Sequence, residues 1–132
     1  MGDNDGVDVR RPILSGPDAD SFRHVLGHYP TGVAGITAMT DEGPLGMAMN
    51  SFTSLSLHPP LVLFCPAESS TTWPRLRAAG AIAINVLSAG QQSISRAFAL
   101  RDSDRFGGVS WSRGGKNDPT PDKTPSWLEW SM

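Results

Sequence analysis

The stretch from Gly46 to Thr72 (GMAMNSFTSLSLHPPLVLFCPAESSTT) restricts this part of the chain to short strands set off by prolines and hydroxyl residues. Leu45, Met47 and Met49 alternate with Gly46, Ala48 and Asn50, so a strand here carries one bulky face and one nearly bare face. Leu55 and Leu57 continue an alternating pattern up to Pro59-Pro60. The double proline sets the entry to Leu61-Val62-Leu63-Phe64-Cys65, a continuously apolar run that predicts a central strand buried on both faces. The bare face can accept a flat ring, and Asn50-Ser51-Phe52-Thr53-Ser54 follows with amide, hydroxyl and backbone donors. The same residues suit a strand running into a polar turn.

Charge and cysteine usage exclude several classes of partner. A formal net charge of −2 offers no basic footprint for nucleic acid or an anionic membrane. The single Cys65 forms no internal disulfide and is most simply a small core residue. With no apolar run long enough for a signal peptide or a membrane span, the expected compartment is the cytoplasm. At 132 residues and 39% hydrophobic content, one globular domain with a real core is expected.

Residues 1–17 mix Asp, Gly, Asn and Pro, have little to bury and predict a tail, leaving 18–132 as the domain. From Asp18, Phe22, Val25, Leu26 and Tyr29 recur on one face of a helix that ends before Pro30 and should cover the end of a sheet. His24 and His28 share its opposite face with no third metal ligand apparent, which makes them solvent-facing histidines. Val33 to Thr40 reads as a strand that Asp41-Glu42-Gly43-Pro44 turns back into the patterned stretch as a hairpin.

A second chemical signal lies at Ser69-Ser70-Thr71-Thr72, where hydroxyls crowd the start of a helix, Trp73 to Ala79, stopped by Gly80. Free N–H groups and the helix dipole favour an anion such as a phosphate there, with Arg75 or Arg77 adding a cation. Ordinary capping by Ser and Thr accounts for the same residues. Ala81 to Leu87 then alternates as a strand, and Ser88-x-x-Gln91 forms a capping box for a helix with Ile94, Ala97 and Phe98 inward. Arg101 to Phe106 reads as a charged surface loop. Ser112 to Pro125, rich in Gly, Pro, Asp and Lys, has almost nothing to bury, and Trp127-Leu128-Glu129-Trp130 forms a last strand.

Taken together, these motifs resemble the flavin reductase-like proteins. The resemblance runs through Tyr29-Pro30-Thr31-Gly32, Gly46-Met47, Asn50-Ser51-Phe52-Thr53-Ser54-Leu55-Ser56, Pro59-Pro60-Leu61-Val62-Leu63, Asn85-Val86-Leu87 and Asp104-Arg105-Phe106-Gly107-Gly108. It implies a mainly β fold with a few helices, an FMN-binding split β-barrel, in a homodimer that uses NADH or NADPH to reduce FMN or FAD. Such proteins often pass the reduced flavin to a separate monooxygenase. On matching positions the resemblance places flavin ring contacts at Ala48, Met49, Asn50, Ser51 and Phe52, with Ser54 and Leu55 nearby. It places the phosphate at Ser69, Ser70 and Thr71, and carries over Arg75, Leu76, Arg101 and Asp102. No catalytic or metal-binding residue is implied, because hydride transfer belongs to the nicotinamide and the flavin.

Two other readings stay open: an oxidase resembling pyridoxamine-phosphate oxidase that holds FMN permanently, and a flavin-binding or dimerisation module without turnover. Family members continue for several more strands, including a Gly-Asp-His segment facing the nicotinamide, and these 132 residues do not contain it. The expectation is therefore a barrel incomplete at its C-terminal end, from a fragment or a degenerate natural product, that binds flavin better than it reduces it. Uncovered sheet edge and apolar surface should then drive dimerisation.

Overall fold

The computed structural model describes residues 19–20, 24, 26, 28, 31–100, 104–115 and 118–131. The chain divides into two units, Met1–Pro30 and Thr31–Met132. The expected tail, 1–17, lies outside the described residues, as do Phe22, Val25 and Tyr29 of the expected helix face. In the first unit Ala19, Asp20, His24 and Leu26 are helical, and the His28 ring nitrogen lies 2.8 Å from the His24 carbonyl oxygen, as an i, i+4 spacing allows.

The second unit is built on a four-stranded antiparallel sheet in the order β2-β1-β5-β8, with β1 Ala34–Thr40, β2 Gly43–Met49, β5 Ala81–Val86 and β8 Ser126–Ser131. Two ribbons accompany it, β3 Thr53–Leu57 with β4 Pro60–Leu63 and β6 Trp111–Arg113 with β7 Pro119–Pro121. The helices are α1 Trp73–Ala78 and α2 Gln92–Ala99, the latter preceded by a 3₁₀ turn, Ala89–Gln91. The Ser88–Gln91 capping box forms as expected, with the Ser88 N–H donating to Gln91 Oε1 at 2.9 Å. At the β1–β2 hairpin Gly43 adopts φ 112°, a conformation that disfavours a side chain, and the Thr40 hydroxyl closes the turn onto the Gly43 carbonyl at 2.8 Å.

Period-two alternation gives this sheet two different faces. Ala34, Ile36, Ala38, Leu45, Met49, Ile82 and Ile84 form the apolar face, which Leu76 of α1 closes at 0% exposure. The opposite face is made of small and polar residues, and Phe98 of α2 lies across it. A Cβ built on Gly35 or on Gly46 would stand 3.0 Å from the Phe98 ring, and one on Gly46 would also come within 3.1 Å of Phe106. Phe98 and Phe106 are 5.0 Å apart between ring centroids, and Phe106 meets Trp111 edge-on at 6.0 Å. Beside this cluster the buried Asn85 amide donates to the Gly35 carbonyl at 2.9 Å and to Thr37 Oγ1 at 3.0 Å, fastening β5 to β1.

Three expectations are overturned. The strands buried on both faces are β1, buried from Ala34 to Ala38, and β5, where Ile82 to Asn85 are all at 1% exposure or less, and not the Leu61–Cys65 run. Among the described residues β4 has only β3 as a neighbouring strand, so Leu61 and Leu63 are 40% and 45% exposed while Val62 and Phe64 lean on the core. A short apolar run does not reveal how many neighbours a strand has. Cys65 is exposed rather than a core residue, because β4 ends before it. The segment 112–125 does have something to bury: Asp118, Pro119, Thr120 and Pro121 are all buried, with β7 against β1 and β5. Its prolines and polar residues suit the small, polar face of the sheet, a tertiary match that composition does not display.

The Phe98 ring fills the space left by two glycines, so Phe98→Ala should lower the unfolding free energy by about 3–5 kcal/mol in chemical denaturation. Gly46→Ala should cost about 1–3 kcal/mol by overpacking the same ring. A stability unchanged in both variants would show that this contact does not hold α2 to the sheet.

Candidate functional site

Among the described strands β2 stands at the edge of the sheet, and that edge borders a pocket of about 300 Å³. Residues of β2 alternate between those that bond to β1 and those that point their backbone groups outward. Arg105 Nη1 donates to the Gly46 carbonyl at 2.7 Å, which marks Gly46 as an outward position. Two residues on, the N–H and C=O of Ala48 therefore also face the open edge, in the pocket wall. A planar heterocycle lying in line with the sheet would meet one backbone donor and one acceptor there, as a further strand would.

Three chemistries meet around that edge. Met47, Ala48, Met49, Phe98 and Ala99 supply apolar wall, with Pro66 and Ala67 across from them. Ser69, Ser70, Thr71 and Thr72 supply hydroxyls from the turn that leads into α1. Arg105 is the charged side chain among the described lining residues. The turn is held by its own hydrogen bonds: the Ser70 N–H donates to the Ala67 carbonyl at 2.9 Å, and the Trp73 N–H donates to Ser70 Oγ at 3.1 Å. Ser70 thus takes up the first N–H of α1 from two residues before the N-cap Thr72, whose own side chain makes no cap bond, and lines the pocket as well. α1 is six residues long, so its dipole is short and the hydroxyls and Arg105 dominate the polar side.

Of the residues singled out in the sequence, the pocket gathers Ala48, Met49, Ser69, Ser70 and Thr71. The others sit elsewhere. Asn50 is an exposed residue after β2, and the Ser51 hydroxyl accepts from the Cys65 N–H at 2.9 Å, tying the β2–β3 connection to the end of β4. Phe52 packs on the core and lines a separate, smaller cavity with Gly32, Val33, Ala34 and Val86. Ser54 and Leu55 lie exposed on β3. Arg75 pairs with Glu42 at 2.6 Å on the surface, and Leu76 faces the apolar core. Arg101 and Asp102 lie outside the described residues. Thr31 borders another pocket with Gly32, Leu87 and Ser88.

The ring-accepting face also needs correction at Gly46. Its bare Cα is covered by Phe98 and Phe106, so only Ala48 presents a small surface to the pocket. Arg105, Phe98 and Ala99 were missed. Arg105 stood in a matched motif, Asp104-Arg105-Phe106, but a charged loop carries no mark of the strand edge it returns to.

Comparison with known proteins places this geometry among relatives. Residues 26–131 match the flavin reductase like domain. A flavin reductase of Pseudomonas putida is 43% identical over 118 residues, which cover 89% of this chain and 69% of the relative. The reductase subunit HsaB of a flavin-dependent monooxygenase from Rhodococcus jostii is 44% identical over 77% of this chain and 52% of its own length. The chain thus spans between half and about two thirds of these relatives. The structure of the Streptomyces globisporus NADH:FAD oxidoreductase SgcE6 in complex with NAD and FAD fragments superposes with a TM-score of 0.80 at 36% identity, covering 92% of this chain and 74% of that one. The shared fold is the split barrel.

Because Ser70 Oγ takes up the Trp73 N–H, Ser70→Ala should cost about 0.5–1.5 kcal/mol of stability. Ser70→Thr should restore most of it. A thermal melt that leaves both variants at the parent midpoint would show that this bond does not hold the turn.

Proposed function

Since the chain belongs to the flavin reductase like domain family, we propose that it serves NAD(P)H-dependent reduction of FMN or FAD and supplies reduced flavin to a separate monooxygenase. The observation that carries this reading is the open β2 edge at Ala48, set between an apolar wall and a turn of hydroxyls in one pocket. Those parts fit a flavin: a flat ring for the edge and wall, and a phosphate for the hydroxyls. The names of the relatives point the same way.

Bound flavin and nicotinamide supply the hydride chemistry between them. The chain's own contribution is placement. Ala48 offers its N–H and C=O to the ring edge, while Met47, Met49 and Phe98 exclude water from the ring faces. Ser69, Ser70 and Thr71 hold the phosphate end. No side chain of the pocket need gain or lose a proton, and none is assigned as a catalytic residue.

The proposal includes a homodimer. Leu55, Leu57, Leu61 and Leu63 of the β3–β4 ribbon are 62%, 77%, 40% and 45% exposed, an apolar projection that a second copy would cover. No helix among the described residues is long and apolar enough to cross a membrane. A reducing compartment such as the cytoplasm suits the exposed thiol of Cys65.

Flavin titration followed by fluorescence quenching, together with NADH oxidation in the presence of added FMN or FAD, tests the function. Ser70→Asp sets a negative charge against the phosphate end and should weaken FMN binding by about tenfold or more. Unchanged affinity would remove the phosphate assignment, and no flavin binding by the parent would remove the function. Light scattering should give twice the chain mass, and Leu57→Asp should lower it toward that of one chain. A parent monomeric at micromolar concentration would count against the dimer.

A further inference from the structure

We infer that oxygens of Glu129, Thr120 and Asp118, gathered over Gly114 where the β6–β7 ribbon meets β8, form a binding site for a hard divalent cation. The site is separate from the flavin pocket, which none of these residues lines.

Register puts Glu129 on the sheet face that β7 covers. Gly46, Thr37, Ala83 and Glu129 stand in one row across β2, β1, β5 and β8, so a row of small and neutral residues ends in a carboxylate. That carboxylate reaches the ribbon at a pair of glycines. A Cβ built on Gly114 would stand 2.5 Å from Glu129 Oε1, and one on Gly115 would stand 3.1 Å from Glu129 Oε2. Any other residue at 114 would force the carboxylate aside. The same point above Gly114 is 3.3 Å from Thr120 Oγ1 and 3.4 Å from the Asp118 carbonyl oxygen. Three oxygens from two strands and a turn thus close on one place.

Their hydrogen bonding carries the inference. Glu129 Oε1 and Thr120 Oγ1 are buried, and among the described residues neither has a hydrogen-bond partner. Thr120 is only 7% exposed, so its hydroxyl is shut off from bulk water. The Asp118 carbonyl accepts the Gly114 N–H at 2.8 Å with one lone pair and keeps a second. A buried carboxylate oxygen set among other oxygens is costly unless positive charge joins it. Carboxylate, hydroxyl and carbonyl oxygens, with neither nitrogen nor sulfur in the set, select Mg²⁺ or Ca²⁺ over zinc or copper. No group of three His, Cys, Asp or Glu side chains stands together among the described residues, so water completes the coordination shell. Bound there, the ion ties β8 to the ribbon that covers the polar face of the sheet.

The test uses the full chain, freed of metal, as the parent and as Glu129→Gln, Gly114→Ala and Thr120→Val. Calorimetric titration with Mg²⁺ and with Ca²⁺ gives the affinities, and thermal midpoints are compared in EDTA and in each ion at matched ionic strength. At least one of the two ions should bind the parent and raise its midpoint above that in EDTA. Glu129→Gln keeps the size of the side chain and removes the charge, and it should weaken that ion by roughly tenfold or more. Thr120→Val should weaken it less. Gly114→Ala leaves every ligand in the chain but displaces Glu129 Oε1, and should also lower the affinity. Binding of neither ion by the parent would overturn the inference. An affinity unchanged by both Glu129→Gln and Gly114→Ala would put the ion elsewhere on the chain and overturn it as well. So would variant midpoints displaced equally in EDTA and in the ion, which would leave Glu129 as a packing contact.

Discussion

The contact on which the site depends is that between the Phe98 ring and two glycines on neighbouring strands, Gly35 of β1 and Gly46 of β2. It brings α2 down onto the small face of the sheet at the edge strand, and Phe106 and Trp111 continue the aromatic cluster. Burial of a ring of this size stabilises by about 1.5–3 kcal/mol, but its larger consequence is positional. Phe98 and Ala99 become one wall of the pocket, and the turn after α2 returns Arg105 to the edge at Gly46. Without the two glycines the ring could not approach, and that wall would stand farther from Ala48.

The two faces of the sheet solve different problems. The apolar face of Ile36, Leu45, Met49, Ile82, Ile84 and Leu76 is non-directional, and volume-conserving exchanges there are tolerated. The other face buries Thr37, Asn85 and Thr120, where each polar group needs its partner or loses about 1–3 kcal/mol. The Asn85 amide nitrogen meets that demand through its donations to the Gly35 carbonyl and to Thr37 Oγ1, whereas Asn85 Oδ1 and Thr120 Oγ1 are buried without a hydrogen-bond partner among the described residues. This directional face fixes which residues stand opposite one another, and the pocket at its edge inherits that precision.

Legibility in the sequence followed the range of the interaction. The β1–β2 hairpin, the Ser88–Gln91 box, the strand Ala81–Val86 and the stop at Gly80 were readable because their causes lie within a few residues. The neighbours of a strand were not readable, which is why Leu61 to Phe64 looked central and β5 did not stand out. The burial of β7 was hidden because Pro119 and Pro121 are buried by a polar sheet face far away in sequence. In the site, the hydroxyl turn and the β2 wall were legible from local pattern and family resemblance. Arg105, joined to Gly46 across 59 positions, was not. Leu76 and Arg75 were misleading for the converse reason: closeness in sequence to Ser70 does not carry a helical residue to the side that faces the pocket.

Register links these levels. Ala48 stands opposite Gly35 and Gly46 opposite Thr37, and this pairing decides which backbone groups of β2 bond to β1 and which face the open edge. A slip by one residue would turn Ala48 inward and present Met47 and Met49 to the edge. It would also bring bulky side chains beneath Phe98, where a Cβ alone would already stand 3.0 Å from the ring. Gly43 fixes the hairpin from one end and the glycine–Phe98 contact fixes it farther along, so the correct register is the one that both permits α2 to dock and exposes Ala48. The same steric constraint that completes the fold therefore selects the hydrogen-bonding groups offered to a ligand. Arg105 occupies the adjacent outward carbonyl at Gly46, and Ala48 is left as the outward position of the pocket floor.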